Sequence, residues 1–148
     1  MATRFDVNAL SYKVIGCAIK VHSVLGPGLL ESAYQSSLSE ELERSGMKVE
    51  AERPLPVVYG GARVECGYRV DLIVNELVIV EIKAVQEISP IHIAQTLTYL
   101  RLSGLPLALL INFNTRLLKS GIRRLINDRV LPPGASETLA PEDTKSIP

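Results

Sequence analysis

Tryptophan is missing from this chain, and only two phenylalanines and five tyrosines stand among its 148 residues. No single segment therefore presents an evident aromatic platform for stacking the bases of a nucleic-acid strand. Cysteine is as scarce. Two residues, Cys17 in a helical pattern and Cys66 in a strand pattern, are too few for a disulfide framework or a thiolate zinc site. Both read as small packing residues. An excess of one charge is also missing, with 16 basic against 16 acidic side chains, so the whole chain does not announce a polyanionic partner. No apolar run approaches the roughly 18 residues of a membrane-spanning helix. The opening MATRFDVNAL has no basic stretch leading into an apolar one, which gives a cytoplasmic location as the expectation.

What is present suits a single core. A chain of this length buries about 70% of the surface its unfolded form exposes. One domain is expected over residues 1–131, followed by a polar, proline-rich tail over 132–148 that is expected to be mobile. Charge is unevenly placed. Arg116 to Arg129 holds five basic residues against one acid, whereas Glu40, Glu41, Glu43, Glu50 and Glu52 crowd the segment from 40 to 52.

Periodicity gives the elements. Val14, Ala18, Val21 and Leu25 repeat at helical spacing over about Asn8 to Leu25, and Gly26-Pro27-Gly28 ends that helix. Leu30, Tyr34, Leu38 and Leu42 mark a second helix from about Leu29 to Arg44. Short β-rich runs follow at Lys48–Glu52, Leu55–Tyr59, Ala62–Val74 and Val78–Ala84, with Gly60-Gly61 as a hairpin turn, so an antiparallel meander is expected. Ser89-Pro90 opens a helix that Gly104 closes. Leu107 to Phe113 reads as a strand buried on both faces and parallel to Val78–Ala84, because a helix of crossover length joins them. Thr115 to Asn127 reads as a final amphipathic helix.

The strongest anomaly is the run Val-Ile-Val-Glu81-Ile-Lys83-Ala. A two-residue period puts Glu81 and Lys83 on one face of an otherwise apolar central strand. Taken alone, the pair reads as an internal ion bridge or as a strand end that reaches solvent. Asp71 in the preceding strand changes the balance, because a three-residue turn at Asn75-Glu76-Leu77 sets it beside Glu81. Two carboxylates held together in an apolar sheet repel, which raises at least one pKa unless a cation intervenes. Mg²⁺ commonly takes one or two carboxylates, so Asp71 and Glu81 suffice as a minimum, and Lys83 then neutralises phosphate charge or orients water. Gln95 and Tyr99, four apart on the next helix, face the same way.

Asp71, then Glu81-Ile82-Lys83, then Gln95, in the order αβββαβ, resembles the signature and core of the PD-(D/E)XK nuclease superfamily. More narrowly, Gly28-Leu-Leu-Glu31-Ser-Ala-Tyr34 resembles the motif that names the GxxExxY family of small prokaryotic proteins. The likeness continues through Tyr68-Arg-Val-Asp71, Ala94-Gln95-Thr-Leu-Thr-Tyr99 and Leu110-Ile-Asn-Phe113. It implies an α/β fold with a mixed central sheet flanked by helices. It also implies that Asp71 and Glu81, with the Ile82 carbonyl, hold Mg²⁺, or Mn²⁺ in its place. Glu31 would complete that set from the second helix, while Lys83 and Gln95 assist hydrolysis. Substrate contacts would come from Tyr34, Tyr99, His92 and, along the last helix, Arg116, Lys119 and Arg123. The expected activity is metal-dependent cleavage of phosphodiester bonds in DNA or RNA. Against it stands a catalytically silent module of the same fold that binds nucleic acid or a protein partner. No membrane partner is expected, and a homo-oligomer is left open.

Overall fold

The computed structural model describes residues 2–130, so the expected tail over 132–148 lies outside the described residues. Helix α1, Arg4–Leu25, begins earlier than its apolar stripe suggests because Thr3 and Asp6 close a capping box. Val7, Leu10, Val14, Ala18 and Val21 form its buried face. Gly26 ends it with φ 68°, a conformation that glycine adopts without steric cost. Helix α2, Glu31–Arg44, buries Tyr34, Leu38 and Leu42.

The strands are β1 (Val49–Pro54), β2 (Val57–Tyr59), β3 (Ala62–Val64), β4 (Arg69–Val74), β5 (Val78–Lys83), β6 (Leu107–Asn112) and β7 (Ile122–Ile126); helix α3, Pro90–Ser103, lies between β5 and β6. Five of the strands form a mixed sheet in the order β1-β4-β5-β6-β7, in which only β5 and β6 run parallel. The crossover through α3 therefore has the expected form. Helices α1 and α2 pack on one face over Leu72, Val80, Ile82, Leu109 and Ile111. Helix α3 covers the other, over Ile73, Ile79, Ala108 and Leu125.

Three expectations are corrected. The strand expected from Ala62 to Val74 is two strands, because residues 62–69 are all exposed and Gly67 turns the chain with φ 79°. The meander is accordingly interrupted: β1 pairs with β4, and β2 with β3 forms a separate hairpin projecting from the sheet. Cys66, expected to pack, is exposed on that excursion, while Cys17 is buried.

The third correction is the final helix, which is absent from Thr115 to Asn127. A short 3₁₀ turn, Leu118–Gly121, leads instead into the edge strand β7. Gly121 is required there, since a Cβ would lie 2.4 Å from the Asn112 carbonyl oxygen. The buried Arg124 explains the misleading pattern. It hydrogen-bonds Asn8 and sits 5.2 Å from the centre of the Tyr12 ring, so a position that looks like a helix's polar side is interior. Arg116, Lys119 and Arg123 consequently share no helical face: they lie in a loop, on the 3₁₀ turn and on β7.

Candidate metal and catalytic site

Register builds the site. Val74 pairs with Val78 across the three-residue turn Asn75–Leu77, in which Asn75 and Glu76 take left-handed conformations with φ 51° and 55°. Continuing that register sets Asp71 opposite Glu81, but the backbone ladder stops at Leu72 and Val80. Beyond this point the side chains take over. The Asp71 N–H donates to Glu81 Oε1 at 2.9 Å, and the Ile82 N–H donates to Asp71 Oδ2 at 2.8 Å. Strands β4 and β5 thus end in a fork whose inner hydrogen bonds are made by two carboxylates.

The β1 side is irregular at the same place. Ala51 pairs with Leu72 and Arg53 with Val70, while Glu52 between them has φ 56°, unusual for a residue with a side chain. Sequence reasoning did not single out Glu52. Its charge nonetheless acts on Asp71.

Burial dominates the electrostatics. Glu81 is only 4% exposed, and desolvation followed by the charge of Asp71 pushes its carboxyl up to about 8. Asp71 is also raised, chiefly by burial, against the opposing effects of the Ile82 N–H and the Lys83 charge. Lys83 is half-buried on the same strand, and its charge favours the ionised form of both acids. Among the described residues it makes no ion pair, so the internal bridge with Glu81 does not form.

Neighbouring elements hold the fork's mouth. Glu31, in the first turn of α2, accepts a hydrogen bond from the Ala84 N–H at 3.2 Å just past the end of β5. Across the parallel ladder from Lys83 lies the buried Asn112. Its side chain donates to the Val85 carbonyl at 2.9 Å and accepts from the Val85 N–H at 3.1 Å, which fixes the path of the chain out of β5. An asparagine ending an apolar run was the available signal for that role.

Tyr99 on α3 is buried, and burial, then the charges of Glu81 and Asp71, push its hydroxyl up to about 12, partly offset by a hydrogen bond with Gln95. Gln95 and Tyr99 therefore sit together on the helix that faces the acids. His92 is occupied differently: its Nδ1 accepts from the Ser89 N–H at 3.1 Å as half of a capping box. Tyr34, expected among the substrate contacts, turns inward. It is fully buried, its ring stacks on Phe113 with centroids 4.6 Å apart, and its hydroxyl donates to the Gly26 carbonyl at 2.5 Å while accepting from the Leu29 N–H at 3.1 Å. It clamps the glycine-proline-glycine turn that delivers Glu31.

No group of three or more histidines, cysteines or acids is drawn together tightly enough to cage a metal among the described residues. The residues that could hold one are the acidic pair, Asp71 and Glu81. Each carboxylate has one oxygen engaged by a backbone N–H, and a pair of carboxylate oxygens is the kind of donor set that a hard ion retaining water ligands can use.

Residues 8–125 match the family model of the PD-(D/E)XK nuclease superfamily. The chain belongs to that superfamily. No curated protein and no solved structure matches it. PD-(D/E)XK nucleases are typically dependent on a divalent metal, and the mixed sheet flanked by helices is consistent with their fold. Here Glu81-Ile82-Lys83 fits the (D/E)XK triplet, and Asp71 is the acid that precedes it, with valine rather than proline at position 70. None of the described helices is long and apolar enough to cross a membrane.

Proposed function

We propose that the fork is the centre of a metal-dependent nuclease of the GxxExxY kind, acting on phosphodiester bonds of DNA or RNA. One observation carries this: a buried acid, Glu81, beside a half-buried one, Asp71, each bonded to the other's strand, with both pKa values raised and a lysine two residues on. Asp71 and Glu81 would hold Mg²⁺ or Mn²⁺, with Glu31 reaching the same end of β5 from α2. When bound, such an ion supplies Lewis acidity toward a phosphodiester and raises the acidity of water. The remaining work falls to the chain. Lys83 stabilises negative charge developing on the phosphate, and the Gln95–Tyr99 pair orients the substrate from α3. The hydrogen bonds at Asp71 and Glu81 fix both carboxylates in advance, so that little reorganisation accompanies reaction.

A silent binding module is the second reading, and the two-acid donor set favours it. Incubation of the purified protein with labelled single- and double-stranded DNA and RNA in Mg²⁺, Mn²⁺ or EDTA tests the choice. Cleavage in the two metals and none in EDTA is expected, with Lys83→Ala slower by about 100-fold or more. Equal cleavage by wild type and Lys83→Ala would remove Lys83 from the mechanism. No cleavage of any substrate by wild type selects the binding module.

A further inference from the structure

Aromatic residues are sparse along the chain, yet the fold brings two of them together beside the fork. Tyr68, in the segment leading into β4, and Tyr99 of α3 have ring centroids 6.1 Å apart with planes inclined at 59°. Tyr99 is buried and forms a fixed backing, whereas Tyr68 is 40% exposed and offers ring surface to solvent. Its position is set by the backbone: the Tyr68 carbonyl accepts from the Leu55 N–H at 2.8 Å, closing the base of the β2–β3 hairpin, and Leu55 packs into the core beneath α3. Tyr68 is therefore a ring anchored at the entrance to β4, three residues before Asp71.

We propose that Tyr68, backed by Tyr99, stacks on an unpaired nucleobase next to the phosphodiester at the fork, so that the substrate is single-stranded where it is cut. This deepens the nuclease reading and rests on it. The chemistry around the ring selects a nucleotide over an apolar peptide. Arg69 follows directly, its exposed side chain held only by a long surface ion pair with Glu52 at 3.9 Å, which a phosphate can replace, and Lys83 stands on the adjoining strand. Cationic groups beside a tyrosine face suit a base joined to a phosphate. The charges of Glu81 and Asp71 both act on Tyr99, which places the ring pair within electrostatic reach of the acids. Bases within a duplex are covered on both faces by their neighbours, so only an unstacked one presents a free face to Tyr68.

The test reads binding, independently of cleavage. An oligonucleotide carrying 2-aminopurine is titrated with the full chain, single-stranded and as a duplex of the same sequence, in EDTA and again in Ca²⁺. The absence of tryptophan keeps the protein's own emission low. Quenching of the single strand is expected at lower protein concentration than for the duplex. Tyr68→Ala should weaken single-strand binding by about tenfold or more, while Tyr68→Phe stays within about twofold, since the ring and not the hydroxyl carries the stack. Thermal melts of both variants show that the fold is kept. If a folded Tyr68→Ala binds like wild type, if Tyr68→Phe loses as much as alanine, or if wild type quenches neither form in either condition, the stacking role is overturned. Failure of the nuclease reading looks different: quenching and its Tyr68 dependence persist while no substrate is cut in Mg²⁺ or Mn²⁺.

Discussion

At the scale of single residues, Glu81 concentrates the physics of this protein. A carboxylate buried in a central strand is costly, and here its partner carries the same charge. That conflict was legible in the sequence, where Glu81 and Lys83 interrupt an apolar run and Asp71 falls in register with Glu81. The form of the solution was not legible, because exchanging backbone carbonyls for carboxylates depends on where two strands separate. The consequence for stability has a definite sign. Glu81 has its ordinary value of 4.5 when unfolded and about 8 when folded, so the folded chain binds the proton more tightly. Its contribution is fully present below about pH 4.5 and is lost as pH rises through about 8. Asp71, also raised, acts in the same direction. Urea denaturation in chelator should therefore show wild type losing stability from pH 5 to pH 9, whereas Glu81→Gln, which keeps an oxygen for the Asp71 N–H, loses less. Parallel curves for the two proteins would mean that the acid pair is not under this strain.

At the scale of elements, the helices and the two apolar strands β5 and β6 follow from periodicity and punctuation. The segment after β6 does not. Ile122, Leu125 and Ile126 satisfy helical spacing, and the arginines at 123 and 124 look like a solvated side. The strand reading requires knowing that Arg124 is interior, which only contact with Asn8 and Tyr12 of α1 reveals. The hairpin of β2 and β3 turns at Gly60-Gly61 as expected, but it leaves the main sheet for the opposite reason: its residues have strand-forming character but no core to face, as the exposure of Val58 and Tyr59 shows. Gly121 is the pivot of the corrected segment. A methyl group there meets the Asn112 carbonyl, and Asn112 lies opposite Lys83 and holds Val85. Gly121→Ala should cost about 1–3 kcal/mol in urea unfolding, the usual range for overpacking. It should also lower cleavage by moving the exit of β5. An unchanged midpoint would show that the 3₁₀ turn yields freely.

At the scale of the whole molecule, the sheet joins acids from two strands, a helix-borne acid from α2 and a polar pair from α3 at one end of β5. This is why composition alone conveys so little: a neutral chain poor in aromatics places its acids, its lysine and its tyrosine pair together only after folding. Metal binding should then be a property of the native state. A divalent ion that binds the fork and not the unfolded chain stabilises by an amount that grows with its concentration relative to Kd, about 2.7 kcal/mol at one hundred times Kd. Mg²⁺ or Mn²⁺ at pH 8 should accordingly raise the melting temperature, and the rise should shrink toward pH 5.5 as protons compete for Glu81 and Asp71. Asp71→Asn keeps a side-chain oxygen for the Ile82 N–H but removes a charge from the donor set. It should melt higher than wild type in chelator, since the like-charge conflict is relieved, and gain little on adding metal. Calorimetry of both proteins with and without metal separates these effects. An equal metal-induced rise in wild type and Asp71→Asn would place the ion elsewhere on the molecule and take the fork out of metal binding altogether.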